Sequence, residues 1–142
     1  MQKSPKYFSL QELLTSSTAR QKSIENLPSW EIIDHLTELG LFLDELRQAW
    51  GSGIKVTSGY RNSALNQAVG GVSTSVHQLG YAADIYPTNG KFKEFVAFVK
   101  KWAETKHFDQ ILIETSKKSR WLHVGLFNNA HQQRHQIKNM EV

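Results

Sequence analysis

The longest regular pattern in the sequence runs from Ser29 to Trp50, where Ile32, Leu36, Leu39, Leu43, Leu46 and Trp50 step by four and three residues. That spacing is one apolar stripe of a helix, and a stripe of such length must be covered by other parts of the chain. The helix is therefore expected to be the main support of the core. Ser29 can cap its first turn, Glu31 sits favourably near its positive end, and Gly51-Ser52-Gly53 marks its stop. His35, Trp30 and Trp50, on or beside the stripe, read as packing residues. At 142 residues the chain is expected to form one domain, 1–142, since a chain of this size buries on the order of 70% of its unfolded surface. It contains no cysteine, so disulfides and cysteine-type zinc sites are excluded. Any metal must be held by His, Asp or Glu, which directs attention to the six histidines.

Shorter elements surround this helix. Ser9 followed three residues later by Glu12 has capping-box spacing and predicts a short helix through about Ala19. Ile54 to Ser58 alternates apolar and polar residues and reads as a half-buried strand. Ser63 to Val69 suits two helical turns closed by Gly70-Gly71. Ala82 to Tyr86 reads as a buried strand turned out by Pro87 to Gly90, and Phe92, Phe95, Val96, Val99 and Trp102 form the face of a second long helix. Phe108 to Glu114 and Trp121 to Phe127 are apolar runs joined by a polar loop, a hairpin in the making. The final segment, 128–142, is polar and is expected to pack loosely. His131 and His135 stand there at helical i, i+4 spacing but lack a third donor, and read as surface.

The chemistry concentrates in Ser75 to Ile85, where His77 and Asp84 lie seven residues apart across a glycine. Imidazole nitrogen and carboxylate oxygen are both good zinc donors, and a catalytic zinc typically takes three protein ligands and leaves a position for water. The best third ligand is His123, inside the alternation Trp121 to Gly125. Alternate strand residues share a face. If Leu122, Val124 and Leu126 face the core with Ile111 and Ile113, then His123 shares the other face with Leu112 and Glu114, which sets a carboxylate beside the third ligand. Ser75 and Gln78 can supply outer hydrogen bonds that orient the ligands.

The balance of 17 Lys plus Arg against 13 Asp plus Glu gives a formal charge of +4, a mild basic excess suited to an anionic partner such as a cell-wall polymer. The basic residues are scattered, which argues against a nucleic-acid partner. No window approaches a membrane span, and the first residues carry no signal peptide, so synthesis in the cytoplasm is expected.

Several ordered motifs carry a family resemblance: Ser58-Gly59-Tyr60-Arg61, Leu65-Asn66, Val69-Gly70-Gly71, Ser75-x-His77-x-x-Gly80-x-Ala82-Ala83-Asp84-Ile85, and Trp121-x-His123. Together they resemble the zinc D-alanyl-D-alanine carboxypeptidase family, which also includes phage endolysins, over nearly the whole chain. The resemblance implies an α+β fold, a single compact domain with a small, mostly antiparallel sheet and packed helices, shared with the zinc domain of hedgehog signalling proteins. It implies one Zn2+ held by His77, Asp84 and His123, and an Arg61 that polarises the scissile carbonyl or grips a carboxylate. Tyr60, Ser75, Gln78 and Trp121 would line the substrate or support the ligands. In that class zinc activates a water and polarises the carbonyl while a carboxylate moves the proton. Many family members carry an acidic residue three positions before the last histidine; here Arg120 stands there and cannot act as a base. Glu114 is the natural replacement.

The implied activity is hydrolysis of a peptide bond in peptidoglycan stem peptides, as a D,D-carboxypeptidase or an endolysin-like endopeptidase, by a monomer that reaches the wall through phage-type release or non-classical export. The alternative is a non-catalytic zinc domain that binds wall peptides or a protein partner.

Overall fold

The structure, a computed structural model, describes residues 3–142; Met1 and Gln2, the first residues of the segment read for an export signal, lie outside the described part. The apolar stripe forms helix α3, Trp30–Trp50, capped by the Ser29 hydroxyl, which accepts from the Ile32 N–H at 3.2 Å. It ends where Gly51 takes φ +77°, a left-handed cap that favours glycine. The expected N-terminal helix is two short ones, α1 (Leu10–Leu14) and α2 (Ser17–Gln21), because the Ser16 hydroxyl caps a fresh start by accepting from the Ala19 N–H. Helices α4 (Ser63–Ala68) and α5 (Phe92–Trp102) form where the pattern places them.

The strands β1 (Ile54–Ser58), β2 (Ala82–Pro87), β3 (Gln110–Thr115), β4 (Arg120–Gly125) and β5 (Gln136–Glu141) make one sheet in the order β1-β2-β4-β3-β5. All pairings are antiparallel except β5 against β3, which is parallel. This is the α+β, mostly antiparallel single domain the motifs imply. Helix α5 packs on β2 and β4, and α3 packs on α5. Leu36, Leu39, Leu43 and Leu46 of α3 are fully buried, as are Ile85, Leu122, Val124, Phe95 and Phe108. Each such side chain contributes roughly 1.5–3 kcal/mol by leaving water. Among the described residues no helix is long and apolar enough to cross a membrane.

One expectation for the C-terminal segment is corrected. It does not pack loosely: β5 pairs along its whole length with β3, from Gln110↔Gln136 to Thr115↔Glu141. The segment reads as polar because an edge strand has one neighbour and leaves most side chains in water. Its anchor is Asp109, 1% exposed, which accepts from the Arg134 backbone N–H, Nε and Nη2 at 3.1, 2.7 and 2.8 Å. His131 and His135 are exposed, as expected, and lie outside any helix. Both take positive φ in the approach to β5; His131 stacks on Phe127, and the His135 ring bonds the Ala103 carbonyl at 2.9 Å.

Candidate metal centre

The sheet delivers two donors through register alone. Asp84 in β2 pairs with His123 in β4, so their side chains emerge side by side on the face opposite Ile85, Leu122 and Val124. Leu112 pairs with His123 and Glu114 with Trp121, which puts Glu114 on the same face as the parity of the sequence requires.

The third donor arrives from outside the sheet. His77 sits in a short 3-10 turn, Val76–Leu79, whose start is capped by Ser75: the Ser75 hydroxyl accepts from the His77 N–H at 3.2 Å. Gly80 ends the turn at φ +78°, where a Cβ would press on Ile32 and His35. His35 holds the same corner from the other side, with its Nδ1 2.6 Å from the Leu79 carbonyl oxygen and its ring stacked on Tyr81. It is a packing residue, as its place on the stripe suggests.

Residues 59–61, just past β1, clasp His77. The Gly59 carbonyl lies 2.7 Å from His77 Nδ1, and the Arg61 N–H donates to the His77 carbonyl at 3.1 Å. Gly59 is a functional residue that sequence reasoning missed. Its signal was the glycine inside Ser58-Gly59-Tyr60-Arg61: a Cβ there would collide with the Leu13 carbonyl of α1, so only glycine lets the strand end approach. The carbonyl can only accept, so His77 Nδ1 carries the proton and Nε2 is left as a lone-pair donor.

That lone pair points at a carboxylate. His77 Nε2 is 3.3 Å and His123 Nδ1 3.1 Å from Asp84 Oδ1, and all three donor atoms lie within 4.8 Å of one another. Ligand bonds of about 2.0–2.2 Å around a tetrahedral zinc separate neighbouring donors by roughly 3.3–3.5 Å. A His, His, Asp set with one imidazole tautomer already chosen therefore fits a divalent cation such as zinc. Burial opposes the charge on Asp84, but with their rings protonated His77 and His123 outweigh it and hold the carboxyl well below its usual range, the place a bound cation would take.

The remaining predicted residues divide. Arg61 donates through Nη2 to Ser75 Oγ at 3.2 Å, while its Nε is buried without a partner among the described residues. Burial lowers its pKa against the opposing pull of Asp84 and Glu114. Glu114 Oε1 accepts from Trp121 Nε1 at 2.8 Å, so the indole fixes the carboxylate on the site face. A groove of about 330 Å³ opens beside the cluster, lined by Thr57, Asp84, Tyr86, Ser119, Arg120 and Trp121. Two residues are corrected. Gln78 does not orient a ligand: its amide donates to the Ser73 carbonyl at 2.8 Å and braces the preceding loop. Tyr60 is buried in the core rather than set beside a substrate, its backbone tied to Leu13 and Asn26.

Residues 6–125 match the family model described as peptidase M15, a span that contains every residue of the cluster and ends before β5. No curated protein matches the chain.

Proposed function

The chain belongs to the peptidase M15 family, zinc peptidases of the D-Ala-D-Ala carboxypeptidase type, and on that premise we propose that it hydrolyses a peptide bond in peptidoglycan stem peptides. The observation that carries this reading is the convergence of His77 Nε2 and His123 Nδ1 on Asp84 Oδ1 beside an open groove. His77, Asp84 and His123 would hold the zinc, which when bound makes a water nucleophilic near neutral pH and polarises a carbonyl.

The chain's own residues supply the rest. Arg61, with a buried Nε that no group among the described residues satisfies, has a donor ready for a substrate carbonyl or carboxylate. Glu114, held at one oxygen by Trp121, can take a proton at the other and pass it to the leaving amine. Gly59 keeps His77 in its donor tautomer. Ser75 joins Arg61 to the His77 turn, so carbonyl recognition and metal binding are positioned together.

Metal analysis together with mass spectrometry of digested peptidoglycan tests the reading. One equivalent of zinc and release of alanine or stem fragments is expected, and would also separate carboxypeptidase from endopeptidase action. The second reading, a zinc domain that binds wall peptides without cleaving them, is favoured by Arg120 at the family's usual acid position. Calorimetric binding of a stem peptide with no turnover under zinc-replete conditions would decide for it.

A further inference from the structure

The sheet face that carries the metal centre extends past it onto β1. Ile54 and Val56 are buried in the core, so Lys55 and Thr57 point to the opposite face, the one that bears Asp84 and His123. Lys55 pairs with Tyr86, two residues along β2 from Asp84. That diagonal sets Lys55 roughly 7–8 Å from Asp84 across one surface. Lys55 is exposed there and enters no ion pair among the described residues.

On this side of the metal centre lies a polar hollow. It measures about 620 Å³ and is walled by α1, α2 and β1, with Glu12, Ser17, Arg20, Lys55 and Thr57 in its lining. Thr57 also lines the groove beside Asp84, so the two spaces share a wall. The Thr57 hydroxyl donates to the Asp84 carbonyl at 3.3 Å, which ties that wall to the strand of the metal ligand. Arg20, in the last turn of α2, is exposed and, like Lys55, in no ion pair among the described residues. Glu12 is the acid of the lining, and burial raises its pKa against the opposing pull of Lys55 and the Val56 backbone. One carboxylate offsets only part of the charge of two cations, so the hollow favours an anion.

The order of the strands assigns this hollow to one part of a substrate. Glu114, which would pass its proton to the leaving amine, stands in β3, on the far side of β4 from β2 and β1. A leaving portion over β3 puts the acyl portion over β2 and β1, beside Lys55. We infer that Lys55, with Arg20, is a specificity residue that binds a carboxylate on the acyl portion of the substrate. The inference rests on the proposed peptidase reading and narrows its substrate class. Roughly 7–8 Å spans about two residues of extended peptide, so the carboxylate belongs within about two residues of the cleaved bond. An ammonium on a flexible stem meets such a group as a point charge, without the fixed fork of Arg61.

The test uses the zinc-loaded full chain and acetylated stem-type peptides whose cleaved bond is located by mass spectrometry. One pair differs only in an acyl-side carboxylate, free or amidated, and a second pair only in a leaving-side carboxylate. Within the first pair the wild type is expected to favour the free acid about tenfold in kcat/KM, the difference lying in KM and shrinking as salt is raised. In Lys55→Gln that ratio should fall toward one, while Lys55→Arg, which keeps the charge, should hold most of it. Arg20→Gln should lower it partway, and the ratio within the second pair should be the same in every variant. Melting temperatures check folding, and Arg20→Gln carries the test if Lys55→Gln does not fold. No first-pair preference in the wild type, or one that Lys55→Gln leaves intact, overturns the inference, as does a Lys55 effect confined to the second pair. If no peptide is cleaved, calorimetric binding reads the same ratios. A Lys55-dependent preference without cleavage would overturn the peptidase reading and leave Lys55 as a carboxylate anchor; cleavage without that preference would do the reverse.

Discussion

Asp84 and Asp109 are both largely removed from water, yet different partners surround their carboxyls. Asp109 is closed by donors: three N–H groups of Arg134 engage both its oxygens. Asp84 faces two imidazole nitrogens at 3.1 and 3.3 Å, one of which has its proton committed elsewhere on the ring by Gly59. A carboxylate met by N–H groups is a structural clamp. A carboxylate that shares its approach with an imidazole lone pair can join it in holding a cation, and this difference in proton inventory separates a binding site from a brace.

The sharpest way to break that comparison is to neutralise each aspartate. Asp84→Asn should lower zinc affinity on the order of a hundredfold or more, beyond the effect of losing an outer-shell partner, and remove turnover with it; metal content after dialysis reads this directly. Asp109→Asn should leave zinc stoichiometry unchanged. An equal loss of metal in both variants would erase the distinction.

Glu114→Gln comes next. It should keep the zinc and lower kcat by about 10²–10⁴, the usual worth of a general base. Full activity in that variant would remove Glu114 from the chemistry.

The clamp itself is measured by stability. Asp109→Asn weakens a charge-assisted pair whose arginine is 42% exposed, so about 2 kcal/mol is expected in denaturant unfolding, less than for a fully buried pair. Its pH dependence has a definite sign. Burial works against the charge on Asp109, and the bonds from Arg134 prevail and lower the folded pKa. The stabilisation is thus complete above the ordinary carboxylate range, near pH 4, and is lost as pH falls through the lower folded value. The Asn variant should show a flatter acid limb.

Ser75→Ala probes the smallest effect. It removes the cap of the His77 turn and the Arg61 contact together, and about 1 kcal/mol of stability with a tenfold weaker zinc affinity is expected. Metal titration and thermal melts would show whether Ser75 serves both regions or only the turn.

Much of this arrangement was legible in the chain because its causes are local. The 3.6-residue stripe of α3, the capping serines at 9 and 29, and the two-residue alternation through Trp121 to Gly125 each act within one element. Parity alone put His123 and Glu114 on one face. The misreadings have a common origin. Gln78 and Tyr60 sit beside the motif in sequence, but their side chains were claimed by a loop carbonyl and by the core.

Sequence by itself determined the two long helices, four of the five strands and the residue types available to hold a metal, since periodicity, capping and the absence of cysteine are properties of short stretches and of composition. Tertiary structure decided the rest. Only folding could bring the Gly59 carbonyl to His77 across 18 residues and select its tautomer, and pair β5 in parallel with β3. These are pairings between backbone groups distant in sequence, and every residue carries the same backbone donor and acceptor, apart from a proline's missing N–H.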